Sequence, residues 1–124
     1  MLTFGFPRRI FLCRQPTDMR KSFDSLAGLV QMSLQADPLS GDAYVFVGKH
    51  RNRVKILVFD RSGYWVLAKR LCSGRFGDQG AFRSSETSGS VELSPGELQL
   101  LIEGIEIRSA TYRRQYQHPV ASSM

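Results

Sequence analysis

Residues 43–71 read AYVFVGKHRNRVKILVFDRSGYWVLAKRL. Three runs within this stretch, 43–47, 53–59 and 64–71, are built from the β-branched and aromatic residues that suit a pleated, half-buried surface. The basic stretch 48–52 between the first two reads as the connection of a hairpin. Asp60-Arg61-Ser62-Gly63 is a second turn, with Gly63 suited to a positive φ at its end. Two turns joining three strands predict a three-stranded antiparallel meander, and the rest of the chain is read against it.

Upstream, RIFLCR (9–14) is a short strand closed by Gln15-Pro16. Thr17 or Asp18 then offers a helix cap. Met19, Phe23, Leu26, Ala27, Val30 and Leu34 recur at helical spacing, which predicts an amphipathic helix over 18–34 with Arg20, Lys21, Asp24 and Gln31 on its polar side. Asp37-Pro38-Leu39-Ser40-Gly41 ends it and turns the chain into the meander. Downstream, residues 73–90 are rich in Gly, Ser, Gln and Thr with only Phe76 and Phe82 as large apolar residues, the composition of a mobile loop. Leu93-Ser94-Pro95-Gly96-Glu97 opens a second helix: Ser94 caps, proline takes the first helical position and Glu97 completes a capping box. Leu98, Leu101, Ile102 and Ile105 form its buried stripe, and it stops near Gly104. The expected class is α+β: a small antiparallel sheet, the meander plus an N-terminal strand, with two helices packed on one face.

At 124 residues the chain has the length of one domain. Its expected extent is 1–108, with the mobile loop at 73–90 and a loosely held polar tail over 109–124. A hydrophobic fraction of 42% is ordinary for a globular protein and argues against general disorder. No apolar run approaches the roughly 20 residues of a membrane span, and the first residues lack the pattern of a secretory leader. A cytoplasmic protein is therefore expected, associated with the nucleoid if it binds DNA. Cys13 and Cys72 have neither metal-ligand nor disulfide-framework spacing and read as reduced, packed thiols.

The net charge of +6 favours a polyanionic partner. Eight of the 17 basic residues, Lys49, Arg51, Arg53, Lys55, Arg61, Lys69, Arg70 and Arg75, fall between positions 49 and 75 against one acid, Asp60. Strand alternation sends Arg51, Arg53 and Lys55 to one side and Val54, Ile56 and Val58 to the other, so one side is suited to phosphate and the other to a core. These eight are the candidate nucleic-acid-binding residues. The same row of cations would also keep a sheet edge soluble with no ligand at all. Tyr44, Tyr64 and Trp65 have faces on which a base stacks, although aromatics in antiparallel strands more often fill a core.

Catalytic chemistry has little support. Strand transfer with metal ions needs clustered carboxylates, whereas Asp18 caps a helix, Asp37 and Asp42 flank a turn, Asp60 opens one and Asp78 lies in the loop. His50 and His118 have no nucleophile or carboxylate nearby in sequence. Gly74, Gly77 and Gly80 lack the strand-then-helix setting of a phosphate loop. The expectation is a protein that is not an enzyme and has no cofactor, no metal, no small-molecule substrate and no membrane partner.

Four stretches together resemble the TnpB (Orf2-like) accessory family of insertion-sequence-66-type bacterial transposons: RIFLCRQPTDMRKSFDSLAGLV, DPLSGDAYVFVGKHRNRVKILVFDRSGYWVLAKRL, SGRF and LSPGELQLLIEGIE. Asp18-Met19-Arg20-Lys21 followed by Phe23-Asp24 is the clearest mark. Asp37-Pro38 with Ser40-Gly41, then Lys55-Ile56-Leu57, follow in the family's order. Phe59 stands where the family usually has tryptophan. The resemblance implies a protein encoded beside a separate transposase and needed with it for efficient transposition, with the transposase and other proteins of the element as partners. It carries over no active site. Joined to the charge pattern, the expectation is an accessory protein that binds DNA largely nonspecifically through the basic meander. The alternative is a protein adaptor of the transposition complex without a direct DNA role.

Overall fold

A computed structural model describes residues 9–76 and 89–104. At its centre lies the strand Ala43–Val47, here β2, in which all five side chains are buried. An unbroken apolar run needs cover on both faces of the sheet. Ala43, Val45 and Val47 pack on one face with Ile10, Leu12, Val54, Val58, Phe76, Leu93 and Leu101. Tyr44 and Phe46 pack on the other with Cys13, Leu26, Ala27, Val30 and Leu57.

The first strand, β1 (Ile10–Cys13), pairs parallel to β2 with Ile10 opposite Ala43. The helix α1 (Phe23–Met32) lies between them in sequence, as a parallel crossover requires. Strands β3 (Arg53–Asp60) and β4 (Gly63–Arg70) continue from β2 as the expected antiparallel meander. A fifth strand, β5 (Ser90–Leu93), pairs antiparallel with β1, and the sheet order is β4-β3-β2-β1-β5. The last described helix, α2 (Pro95–Ile102), follows β5 directly.

The α+β class and the joining of residues 9–14 to the meander stand as read from sequence. The placement of both helices on one face does not: Leu26, Ala27 and Val30 of α1 belong to one core cluster, and Leu98 and Leu101 of α2 to the other. β5 was not expected from sequence, where the loop ran to Ser90 and Leu93 opened the second helix, yet Val91 and Leu93 alternate inward while Glu92 stays exposed and pairs with Arg9. Phe76, also read as loop, is fully buried, and its N–H donates to the Arg51 carbonyl. Cys13 is buried as expected, whereas Cys72 is exposed. In the β3–β4 turn the positive φ falls on Arg61 and not on Gly63. Residues 77–88, with Asp78, Gly80 and Phe82, and residues 105–124, with the expected tail and His118, lie outside the described residues.

Helix α1 begins five residues later than its periodicity predicts. The Ser25 hydroxyl accepts from the Ser22 N–H at 2.9 Å, fixing the start there. Asp18 serves a tight turn instead: its Oδ1 accepts from the Arg20 N–H at 2.9 Å and its carbonyl from the Lys21 N–H at 3.1 Å. A short acidic side chain that satisfies its own neighbouring amides competes with the helix. Helix α2 starts as read, with Ser94 Oγ accepting from the Glu97 N–H and the Glu97 carboxylate accepting from the Ser94 N–H.

Candidate nucleic-acid interface

The turn holding Asp18, Met19 and Arg20 lies against the β2–β3 connection. The Thr17 N–H donates to the Val47 carbonyl at 2.9 Å. The connection folds on itself, the Gly48 N–H donating to the Arg53 carbonyl and the Arg51 N–H to the Gly48 carbonyl, with Arg51 at φ +57°. Met19 rests on the bare Cα of Gly48, where an added Cβ would sit 2.8 Å from Met19 Cγ. Between the two segments lies a concavity of about 630 Å³, walled by Pro16, Asp18, Arg20, Lys49, His50 and Arg53. A second of about 370 Å³ shares Met19 and Arg53 with it and continues past Lys55, Ala68, Lys69 and Arg70. Side by side through these two shared residues, the two concavities make up a trough across the end of the β2–β3–β4 meander.

Of the eight cationic residues singled out from sequence, Lys49, Arg53, Lys55, Lys69 and Arg70 line this trough, Lys69 with its ammonium bound elsewhere. Arg53 and Arg70 are exposed and directly opposite each other in the β3–β4 register. Lys55 shares their face but is half-buried, with Nζ donating to the Lys21 carbonyl at 2.7 Å. Lys69 is on the opposite face, opposite Val54, and its Nζ donates to the Ile102 carbonyl at the C-terminal end of α2. That carbonyl end carries the negative pole of the helix dipole, which favours the ammonium. Arg51 belongs to the connection and not to a strand. Arg75 is exposed in the segment leading to Phe76. Arg61 is at the far end of the β3–β4 hairpin, away from the trough. The division into a phosphate side and a core side is also revised, because Leu57 lies between Lys55 and Phe59 in the core beneath α1. Both faces carry core, and the cations gather at one end instead of along one face.

The charges differ in how they are balanced. Arg20 grips Asp18 with both Nε and Nη2, the latter at 2.8 Å, and this holds the Asp18 carboxyl far below the usual carboxylate range. At the other edge of the sheet Arg9 makes the corresponding fork to Glu92, whose carboxyl is also lowered. Among the described residues no carboxylate bridges Lys49, Arg53 or Arg70. Like charges directly opposite on neighbouring strands repel, so the Arg53–Arg70 pair favours an anion lying between them.

The aromatic candidates take structural roles. Tyr44 is buried, stacks on Phe11 at 5.8 Å and donates its hydroxyl to the Asp37 carbonyl. Tyr64 meets Phe59 edge to face, and Trp65 Nε1 donates to Asp60 Oδ2. Sequence reasoning did not single out Met19 and His50, which line the trough together with Arg20. Arg20 was read on the polar side of a helix, and only the Asx-turn potential of Asp18 signalled otherwise. Among the described residues no three metal-capable side chains gather, and no helix is long and apolar enough to cross a membrane.

Comparison with known proteins gives a consistent likeness. A family model described as IS66 Orf2 like protein matches residues 8–112. The uncharacterized protein y4hO of Sinorhizobium fredii is 37% identical, over 87% of this chain and 90% of its own length. The uncharacterized protein y4jC of the same organism is 35% identical, over 79% of this chain and 80% of its own. No solved structure matches.

Proposed function

Because this chain belongs to the IS66 Orf2-like family, we propose that it is an accessory protein of DNA transposition that binds DNA largely without sequence preference and assists a separate transposase. The observation that carries this reading is the opposed pair Arg53 and Arg70 beside Lys49, bridged by no carboxylate among the described residues, at the rim of a trough built partly from the segment Asp18-Met19-Arg20. Phosphates neutralise such cations and release condensed counterions, a gain that needs no base readout. The chain acts by binding and not by catalysis.

The test is DNA affinity by fluorescence anisotropy across a salt series, for the parent and for Lys49, Arg53 and Arg70 all changed to alanine. Three phosphate contacts predict a fall of roughly two to three log units in affinity per tenfold rise in salt, and a shallower slope in the triple variant. Superimposable curves would remove these residues from the account. A second reading, a protein adaptor of the transposition complex, is favoured by the exposure of Phe23 and Met32 on α1. Its signature is a complex with the transposase that survives nuclease treatment, from a chain that shifts no DNA alone.

A further inference from the structure

The nucleic-acid surface is a concavity, and its dimensions restrict what enters it. Neighbouring concavities of about 630 Å³ and about 370 Å³ are each the scale of a small-ligand pocket. A nucleotide or two of one strand fits a space of that size, whereas the cross-section of a duplex does not. The lining also has two characters. Lys49, Arg53 and Arg70 supply exposed positive charge, while Pro16 and Met19 supply apolar lining, with His50 also on the wall. Within a duplex the base faces are stacked away; in a single strand they are free to lie on an apolar or aromatic surface while the backbone follows a basic groove. Among the described residues Asp18 is the one acid on the wall, and it is already matched by Arg20 and adds little repulsion.

Resting on the DNA-binding reading above, we propose that the trough takes one strand of nucleic acid, its phosphates against Lys49, Arg53 and Arg70 and a base over Met19 beside His50. Arg61 separates this arrangement from a duplex laid along the ribbon. It lies one residue beyond Asp60, and Asp60 is itself seven residues along β3 from Arg53, a separation of about 24 Å at strand rise. A strand seated in the trough does not reach it.

The experiment measures anisotropy with three probes of about 12 nucleotides, a length within the usual footprint of such grooves: oligo(dT), oligo(U) and a blunt DNA duplex. Each is titrated with the parent, with the K49A/R53A/R70A variant and with R61A; all four substituted residues are exposed, and circular dichroism checks folding. The expected result is a single strand bound at least tenfold tighter than the duplex, lost at least tenfold in the triple variant and unchanged in R61A. Oligo(dT) and oligo(U) binding alike is the expectation for contacts to phosphates and base faces, and a preference for either one names the strand the trough takes. Duplex bound as tightly as single strand, with R61A as damaging as the triple variant, overturns the trough but leaves DNA binding standing. No binding to any probe overturns the DNA-binding reading itself.

Discussion

A methyl group added at Gly48 would sit 2.8 Å from Met19 Cγ and 3.8 Å from the Arg53 carbonyl oxygen. The first distance is shorter than carbon atoms tolerate, and Cγ is too near the Met19 backbone to swing away freely. Gly48→Ala is therefore expected to lift Met19 out of the trough floor and to cost about 1–3 kcal/mol, the usual range for overpacking. Met19→Ala removes the obstructing atoms, so the double variant should lose less than the sum of the two single losses. Urea denaturation of the four proteins measures this, and strict additivity would mean that Met19 does not rest on Gly48. The same two residues form the trough floor, so the lift should also weaken nucleic-acid binding.

The elements differ in how openly they announce themselves. Ser94, Pro95 and Glu97 declare the start of α2 because a capping box is a local device, complete within four residues. The start of α1 is less open, since helical periodicity runs through Met19 while the Asp18 side chain bonds the Arg20 amide and holds residues 18–21 in a turn. The segment after β4 hides its role most. The Leu71 N–H donates to the Asn52 carbonyl, and the chain then folds back so that the Phe76 ring is fully buried in the cluster containing Val47, Val54 and Leu101. Phe76→Ala should cost about 3–5 kcal/mol, as for other buried aromatics cut to alanine. Guanidinium denaturation reads the loss, and a change under about 1 kcal/mol would mean that the ring does not belong to the core.

At the scale of the molecule, the two ion pairs bear on stability against pH. Arg20 lowers the Asp18 carboxyl and Arg9 the Glu92 carboxyl relative to the unfolded chain. A depressed folded value means that each pair stabilises fully above the ordinary carboxylate range, about pH 4, and loses that contribution as pH falls through the folded value. Both pairs are exposed, so solvent screens them and the contribution is small. Asp18→Asn with Glu92→Gln should leave stability at pH 7 slightly reduced and flatten its decline from about pH 4 downward. Fluorescence of the single tryptophan, Trp65, during urea unfolding at each pH follows this. A decline as steep as the parent's would place the acid sensitivity in other carboxyls.

Local patterns by themselves determined the meander, its two turns, the N-terminal strand, the capped second helix and the concentration of cations near residues 49–75. Each is written in neighbouring residues, through alternation, turn chemistry or capping. The run AYVFV even held the sign of a strand covered twice, but the charged alternation of Arg53 and Lys55 next to it pointed to a bare face. Tertiary structure alone decided that α1 and α2 take opposite faces, that β1 runs parallel to β2, that β5 closes the sheet, and that Lys69 is separated from Arg70 and Arg61 from both. It also brought Met19 onto Gly48, 29 positions away. The reason is that crossovers and registers join residues distant in sequence, and which of several compatible pairings forms depends on the summed burial of the whole core.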